Sequence, residues 1–420
     1  MTQGANLAIW IIAAAAAAGV LIRPFRLPEA IWAVAGVALL ILFGLLPLGA
    51  VGSAVLRGDD VYLFLSGMML LAELGRCEGL FDWAAARAVR WSDGSPKRLF
   101  LLIYAVGALV TVFLSNDATA VVLTPAVYRA ARRAGVSPLP CLFACAFIAN
   151  AASFVLPISN PANLVLYAGH LPPLGSWLTR FGPASSAAVL ATFIVLRWRF
   201  DGQLRADSER QPDAAPTPLS QTGRATLACL LFTVTVLLAA SALGRPLGAP
   251  TAAMGLLAMI IVTLMERKSP WAMLRRISWS TLLLVAGLFV IVEALGRTGL
   301  TASLAALLSA AARTSPIAAA WQAGALIALL GNLANNLPVG LEAAAMIGTA
   351  HPPSLITDAL LIGVDLGPNL SITGSLATIL WLIAVRREGE DIGFWRFLKL
   401  GALVMPPALL LALAARLAFG

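Results

Sequence analysis

Residues 115–119 read SNDAT, and residues 335–338 read NNLP. Each string interrupts an apolar segment near its middle, 98–131 in the first case and 316–350 in the second. In a bilayer, a polar break at that depth is tolerated only where protein buries it or a cavity receives it. Both segments are therefore expected to be re-entrant hairpins, entering and leaving on the same side of a membrane.

The rest of the chain supports a membrane setting. Of the 420 residues, 60% are hydrophobic and 12% charged, about half the charged share of a soluble domain. Around the hairpins, apolar runs predict spans at 5–22, 30–48, 61–80, 138–169 and 176–200, then at 224–243, 249–266, 279–311, 354–385 and 394–419. Such lengths suit about 30 Å of hydrocarbon. No Lys or Arg precedes the first run, so 7–22 reads as a retained helix and not as a cleaved signal. The net charge of +9 lies between apolar segments, which points to membrane anchoring and orientation rather than to nucleic acid.

Residues 201–223, polar and with three prolines, read as an exposed linker. They separate a first repeat, 1–200, from a second, 224–420. Gly67, Glu73, Gly79 and Leu80 fall on Gly287, Glu293, Gly299 and Leu300 at an offset of 220 residues, and Asn116 falls on Asn336. If the N-terminus is outside and neither hairpin crosses, 22 of the 29 Lys and Arg residues collect on one side and six on the other, with Arg76 unassigned. The positive-inside rule makes the richer side cytoplasmic. Five spans per half then start the second half on the opposite side from the first. The expected fold class is an all-α integral membrane protein, an inverted-repeat secondary transporter of about 10 transmembrane helices plus two re-entrant hairpins, with helices broken at mid-membrane. Both termini are expected outside and the linker in the cytoplasm.

Four polar clusters lie where hydrocarbon should be: the two tips, SNPAN at 159–163, and 365–375. Pro157, Pro161 and Pro368 remove backbone donors, so the two long spans that hold them should break. Half-helix ends at mid-depth bind ions and polar solutes. A single Pro kink with a bridging Asn would be ordinary; four clusters paired between halves predict a solute site. Asn116, Thr119, Ser159, Asn160, Asn163, Asn335, Asn336, Asn369 and Ser375 are its expected ligands. Asp117 and Asp365 are the expected proton-coupling residues, because withdrawal from water favours a protonated carboxyl. Asp117 also fits a local helix cap.

Glu73 and Glu293 stand three and four residues before Arg76 and Arg297, a helical ion-pair spacing that suggests structure. Glu342 is a weaker site candidate. Cys141 and Cys145 are one turn apart and could hold a thiophilic metalloid, but packing is the better reading. The two histidines, His170 and His351, lie in loops, and no spacing suggests a metal or cofactor site or an enzyme's constellation. No charged pore ring suggests a channel.

At the four clusters the chain resembles the ion transporter superfamily, which includes sodium-coupled dicarboxylate carriers and arsenite efflux proteins. SNDATAVVLTPAV (115–127), PISNPANLVLYAG (157–169), NNLPVGLEA (335–343) and DLGPNLSITGSLATILWL (365–382) carry the likeness. The Asn-Asp and Asn-Asn-apolar-Pro tips resemble the arsenical pump membrane protein family. That resemblance implies export of arsenite and antimonite as neutral trihydroxides across the cell inner membrane, in exchange for protons. It also implies assembly with a cytosolic arsenite-stimulated ATPase. A sodium-coupled dicarboxylate or other anion transporter of the same superfamily is the alternative.

Overall fold

The computed structural model describes residues 3–167, 170–205 and 218–419. Most of the expected linker, 206–217, and the end of the expected span 138–169 lie outside the described residues.

The first half holds helices α1 (Gln3–Ile22), α2 (Glu29–Leu42), α3 (Leu48–Leu56), α4 (Asp59–Cys77), α5 (Leu80–Ser92), α6 (Pro96–Phe113), α7 (Thr124–Arg133), α8 (Leu139–Ala151), α9 (Pro161–Tyr167), α10 (Leu174–Arg199) and the single turn α11 (Asp201–Leu204). The second holds α12 (Gln221–Ala242), α13 (Gly248–Glu266), the turn α14 (Trp271–Leu274), α15 (Ser280–Arg297), α16 (Leu300–Thr314), α17 (Pro316–Ala334), α18 (Asn336–Ala350), α19 (Ser354–Leu366), α20 (Leu376–Arg387) and α21 (Phe394–Phe419). Among the described residues there is no strand, and eight helices are long and apolar enough to cross a membrane: α1, α6, α10, α12, α13, α15, α17 and α21.

Three expected boundaries differ. The run 279–311 is two helices, because Gly299 takes φ +90° and starts α16 in a new direction; a residue with a Cβ rarely adopts that conformation. Gly79 makes the matching turn at φ +68° before α5, a helix that its charged residues hid from a hydropathy reading. The run 30–48 stops as helix at Leu42 and resumes at Leu48 beyond Gly44 and Pro47.

The apolar core falls into two large bodies and a smaller third one, which joins α5, α6 and α7 with Cys141 and Cys145 of α8. One large cluster joins buried side chains of α8, α10, α16, α17, α19, α20 and α21. A second joins those of α1, α2, α4, α12, α13 and α15. They meet along α9, whose Ala162 and Leu166 belong to the first and Leu164 and Val165 to the second. In lipid no hydrophobic force drives helices together, so small residues and close contact must do it. Accordingly α4 packs on α13 where a Cβ on Gly67 would lie 2.2 Å from the Thr251 carbonyl oxygen. The outer faces of α12 and α13 present Leu231, Phe232, Leu257 and Leu264 outward, as a lipid-facing surface would. By contrast α8 is buried all round from Pro140 to Ala151, and α19 from Ile356 to Leu366. These two helices carry the chain into the centre.

Candidate functional site

Both central helices break as their prolines demand. After Ala151 the first runs through an irregular stretch and a 3-10 turn, Pro157–Ser159, before α9 begins at Pro161. After Leu366 the second makes two 3-10 turns, Gly367–Asn369 and Ile372–Gly374, before α20. Backbone groups freed by a break need partners, and the asparagines and hydroxyls of the clusters supply them.

At the first break the Asn163 amide donates to the carbonyls of Ser153 (2.9 Å), Leu156 (3.3 Å) and Pro157 (3.3 Å), while its own Oδ1 is buried without a partner. Ser159 Oγ accepts from the Leu156 N–H and donates to the Val112 carbonyl of α6 at 3.0 Å. Asn160 caps α9: its Oδ1 accepts from the Ala162 N–H at 3.0 Å. At the second break Asn369 donates to the Phe147 carbonyl (3.1 Å) and accepts from the Asn150 amide (3.0 Å). Ser375 caps α20 by accepting from the Thr378 N–H at 3.1 Å.

Direct side-chain links tie the breaks together, two of them short. One is the Asn150–Asn369 amide pair. The other runs from Asn160 Nδ2 to Asp365 Oδ1 at 2.8 Å, and leaves Asp365 Oδ2 buried with no partner.

The two tips close on the breaks. At the first, Ser115 Oγ accepts from the Ala118 N–H, Asn116 Oδ1 accepts from the Asp117 N–H at 3.0 Å, and the chain then makes a π-helical turn over Ala118–Leu123. Such a turn adds a residue to the helix and is common at functional sites. Thr119 holds it, its hydroxyl 2.8 Å from that of Thr111. The Asp117 carboxyl is half-buried and makes no ion pair or hydrogen bond among the described residues. At the second tip Asn335 takes φ +71° and ψ 148°, a region essentially reserved for glycine and so a point of stored strain. Its Oδ1 accepts from the Leu337 N–H at 3.3 Å and its Nδ2 donates to the Thr373 carbonyl at 3.4 Å. Asn336 is 6% exposed, and its amide makes no hydrogen bond among the described residues. The π turn packs on α20, and α18 packs on α9, so the segment after each polar string meets the broken helix of the other half.

The structure thus gathers all eleven expected residues at the two breaks and two tips, and adds others. Asn332 is a hub: its amide donates to the carbonyls of Ala328 (2.8 Å) and Gly367 (2.9 Å), and its Oδ1 accepts from the Ser371 hydroxyl at 2.7 Å. Asn150, Ser153, Thr373 and Thr378 join the same network. Asn332 stands three residues before the NNLP string, a closeness that could have flagged it. Away from the breaks, Asp358 is fully buried; Arg416 donates to its Oδ2 through Nε (2.8 Å) and Nη2 (2.6 Å), and Tyr167 donates to its Oδ1 at 2.5 Å. Glu73 and Glu293 pair with Arg76 and Arg297, and Arg57 also reaches Glu293. Glu342 accepts from Thr301. Cys141 and Cys145 are packed inside α8. No cluster of three potential metal ligands occurs among the described residues.

The site contains carboxyls and amides but no fixed positive charge. No Lys or Arg occurs in 99–128, 139–167, 314–350 or 354–385.

Comparison with known proteins places this architecture. The family model described as citrate transporter matches residues 7–385. The arsenical pump membrane protein of Escherichia coli K12 is 30% identical over 361 residues, covering 81% of this chain and 82% of the relative. That of Yersinia enterocolitica is 29% identical over 348 residues, covering 80% and 81%. Among solved structures, the Alcanivorax borkumensis YdaH transporter superposes with a TM-score of 0.56 at 18% identity, over 88% of this chain and 86% of that one; this likeness speaks to fold alone.

Proposed function

Since the chain belongs to the family whose model is described as citrate transporter and to the arsenical pump membrane protein family, and is a multi-span membrane transporter, we propose that it is a proton-coupled antiporter that exports arsenite and antimonite from the cytoplasm as neutral trihydroxides.

One observation carries the substrate class. Two carboxyls without a cationic partner among the described residues, Asp117 and Asp365, stand with the cluster amides at the breaks and tips, and the four site segments hold no Lys or Arg. A di- or tricarboxylate there would stand beside Asp117 and Asp365 with nothing to offset its charge, at a cost of several kcal/mol in a desolvated site. A neutral polyhydroxy solute asks only for hydrogen bonds. Asn116 and Asn336 would meet it first, since their amide N–H groups have no protein partner. Thr119, Ser159, Asn160, Asn163, Asn335, Asn369 and Ser375 shape the pocket by holding tips and breaks open. Asp117 and Asp365 carry protons inward, and solute leaves in exchange.

Alternating access would come from two inverted repeats, 1–200 and 224–420, joined by a cytoplasmic linker at 201–223, with both termini outside. The reciprocal packing supports this: α4 of the first half on α13, α15 of the second on α2, with Gly67 and Gly287 at the contacts. A cytosolic arsenite-stimulated ATPase is part of the proposal only as an added partner, because proton exchange alone suffices to drive export.

Everted membrane vesicles test the function. With an acid-inside pH gradient they should accumulate arsenite and antimonite, lose them on adding a protonophore, and ignore succinate and citrate. Sodium-dependent carboxylate uptake without arsenite movement would overturn the proposal. Asn336→Ala should raise the half-saturating arsenite concentration about 2- to 10-fold, the worth of one neutral hydrogen bond.

A further inference from the structure

We infer that Asn160 is a positioning residue for proton binding at Asp365: capped through its own Oδ1 by the Ala162 N–H, its amide donates to Asp365 Oδ1 and so makes Oδ2 the oxygen that takes up and releases the proton. This rests on the proposed function only in taking a proton as the coupled ion.

The argument is geometric. A side-chain amide has one accepting end and one donating end. The Ala162 N–H, 3.0 Å away at the start of α9, requires the accepting end. The donating end then faces Asp365, 2.8 Å away. Turning the amide over would set N–H against N–H and oxygen against oxygen. A proton on Asp365 Oδ1 would likewise set O–H against N–H, so Oδ1 must stay an acceptor in both protonation states. Oδ2 remains, buried and without a partner. Such an oxygen is costly inside a protein, which marks it as a place where something binds. A metal cation needs several oxygen ligands at once; a proton needs one.

Nothing nearby competes for the role. On α19 itself, Asp358 is two turns away and held by Arg416 of α21 and Tyr167 of α9. On α18, Glu342 turns to Thr301. From α8 come Cys141 and Cys145, from α17 no titratable group. Ser153 lies beside the Asp365 carboxyl, but its hydroxyl donates to the Asn150 carbonyl at 2.7 Å. Among the described residues no Lys, Arg or His reaches Asp365 to fix it as a carboxylate.

The pairing also says how a proton reaches the helices. Asn160 is the cap of α9 at the first break, and Asp365 ends the helix before the second. An ionised carboxylate holds the amide N–H about twice as strongly as a neutral carbonyl does. Protonation from water on one side therefore loosens the first break from the second, and release to water on the other side tightens it again. Asn160 thereby serves as the joint between ion and architecture, not as a ligand of the solute.

Asn160→Ser tests this, because serine still caps α9 but is too short to reach Asp365. The readout is infrared difference spectroscopy of the purified, full-length protein across a pH titration, with arsenite flux in proteoliposomes beside it. Wild type should show a titrating carboxylic C=O band that Asp365→Asn removes. In Asn160→Ser that C=O stretch should move to higher frequency, as its hydrogen bond is lost. The midpoints of both the band and the flux should move alkaline by about half to one pH unit, since a donor to the ionised form is gone. Asn160→Ala should do the same. The exchange Asn160→Asp with Asp365→Asn should restore a titrating carboxyl. An unchanged band and midpoint in Asn160→Ser, with only a higher half-saturating arsenite concentration, would overturn the inference and make Asn160 a solute ligand. A wild type that shows these infrared changes but moves no arsenite would sink the proposed substrate and leave this inference standing.

Discussion

Asp358 sits fully buried among Arg416, Arg180 and Tyr167, with Arg180 at 3.8 Å and the other two in hydrogen-bond contact. Removing one member of a buried pair strands the other, at a typical cost of about 3–5 kcal/mol. Arg416→Ala should therefore lower the melting temperature in detergent sharply, while Asp358→Asn combined with Arg416→Met should recover most of the loss. This cluster was not legible in the sequence. Asp358 and Arg416 are 58 residues apart, beyond any local spacing, and Asp358 stands in a run that otherwise reads as a plain apolar span. Asp365, seven residues on, did stand out, because Gly367, Pro368 and Asn369 follow it. Asn150 lacked such neighbours. A lone amide in an apolar helix has no local sign of whether it faces lipid, a packed neighbour or a break; only the carbonyls freed across the interface decide.

Where proline or glycine forces the backbone, the elements could be read in advance. Pro157, Pro161 and Pro368 broke the two central helices as expected, and the strings SNDAT and NNLP do separate helices. Gly299 was visible as half of a matched pair, yet hydropathy ran straight through it, because a turn between two apolar helices leaves no polar trace. The π turn after Asp117 was equally silent, since it differs from an α turn by one residue of register. Contact surfaces between helices follow from glycine more directly. Gly67→Val would drive a side chain into the Thr251 carbonyl, and overpacking of this kind costs about 1–3 kcal/mol. We expect a melting temperature several degrees lower, whereas Gly49→Val, where nothing lies within 4 Å, should melt like wild type.

At the scale of the whole molecule, the two large apolar bodies meet along α9. If solute crosses by movement of one body against the other, a bond between the two should stop it. In a background lacking Cys77, Cys141, Cys145 and Cys229, cysteine pairs linking α10 of one body to α12 of the other, which touch, should abolish arsenite flux on oxidation and restore it on reduction. Pairs linking α4 to α13, both within one body, should leave flux intact. Arg416 adds a consequence for how such a molecule is made. The ribosome delivers α21 last, so until then the nascent chain carries Asp358 into the bilayer with its main counter-charge still unsynthesised. The protein thus contains its own check on completion: a chain stopped before α21 holds a carboxylate without its main counter-charge and should be recognised by membrane quality control. In pulse–chase labelling, a chain ending at residue 393 should be degraded far faster than full length, and Asp358→Asn in that same truncated chain should slow its loss.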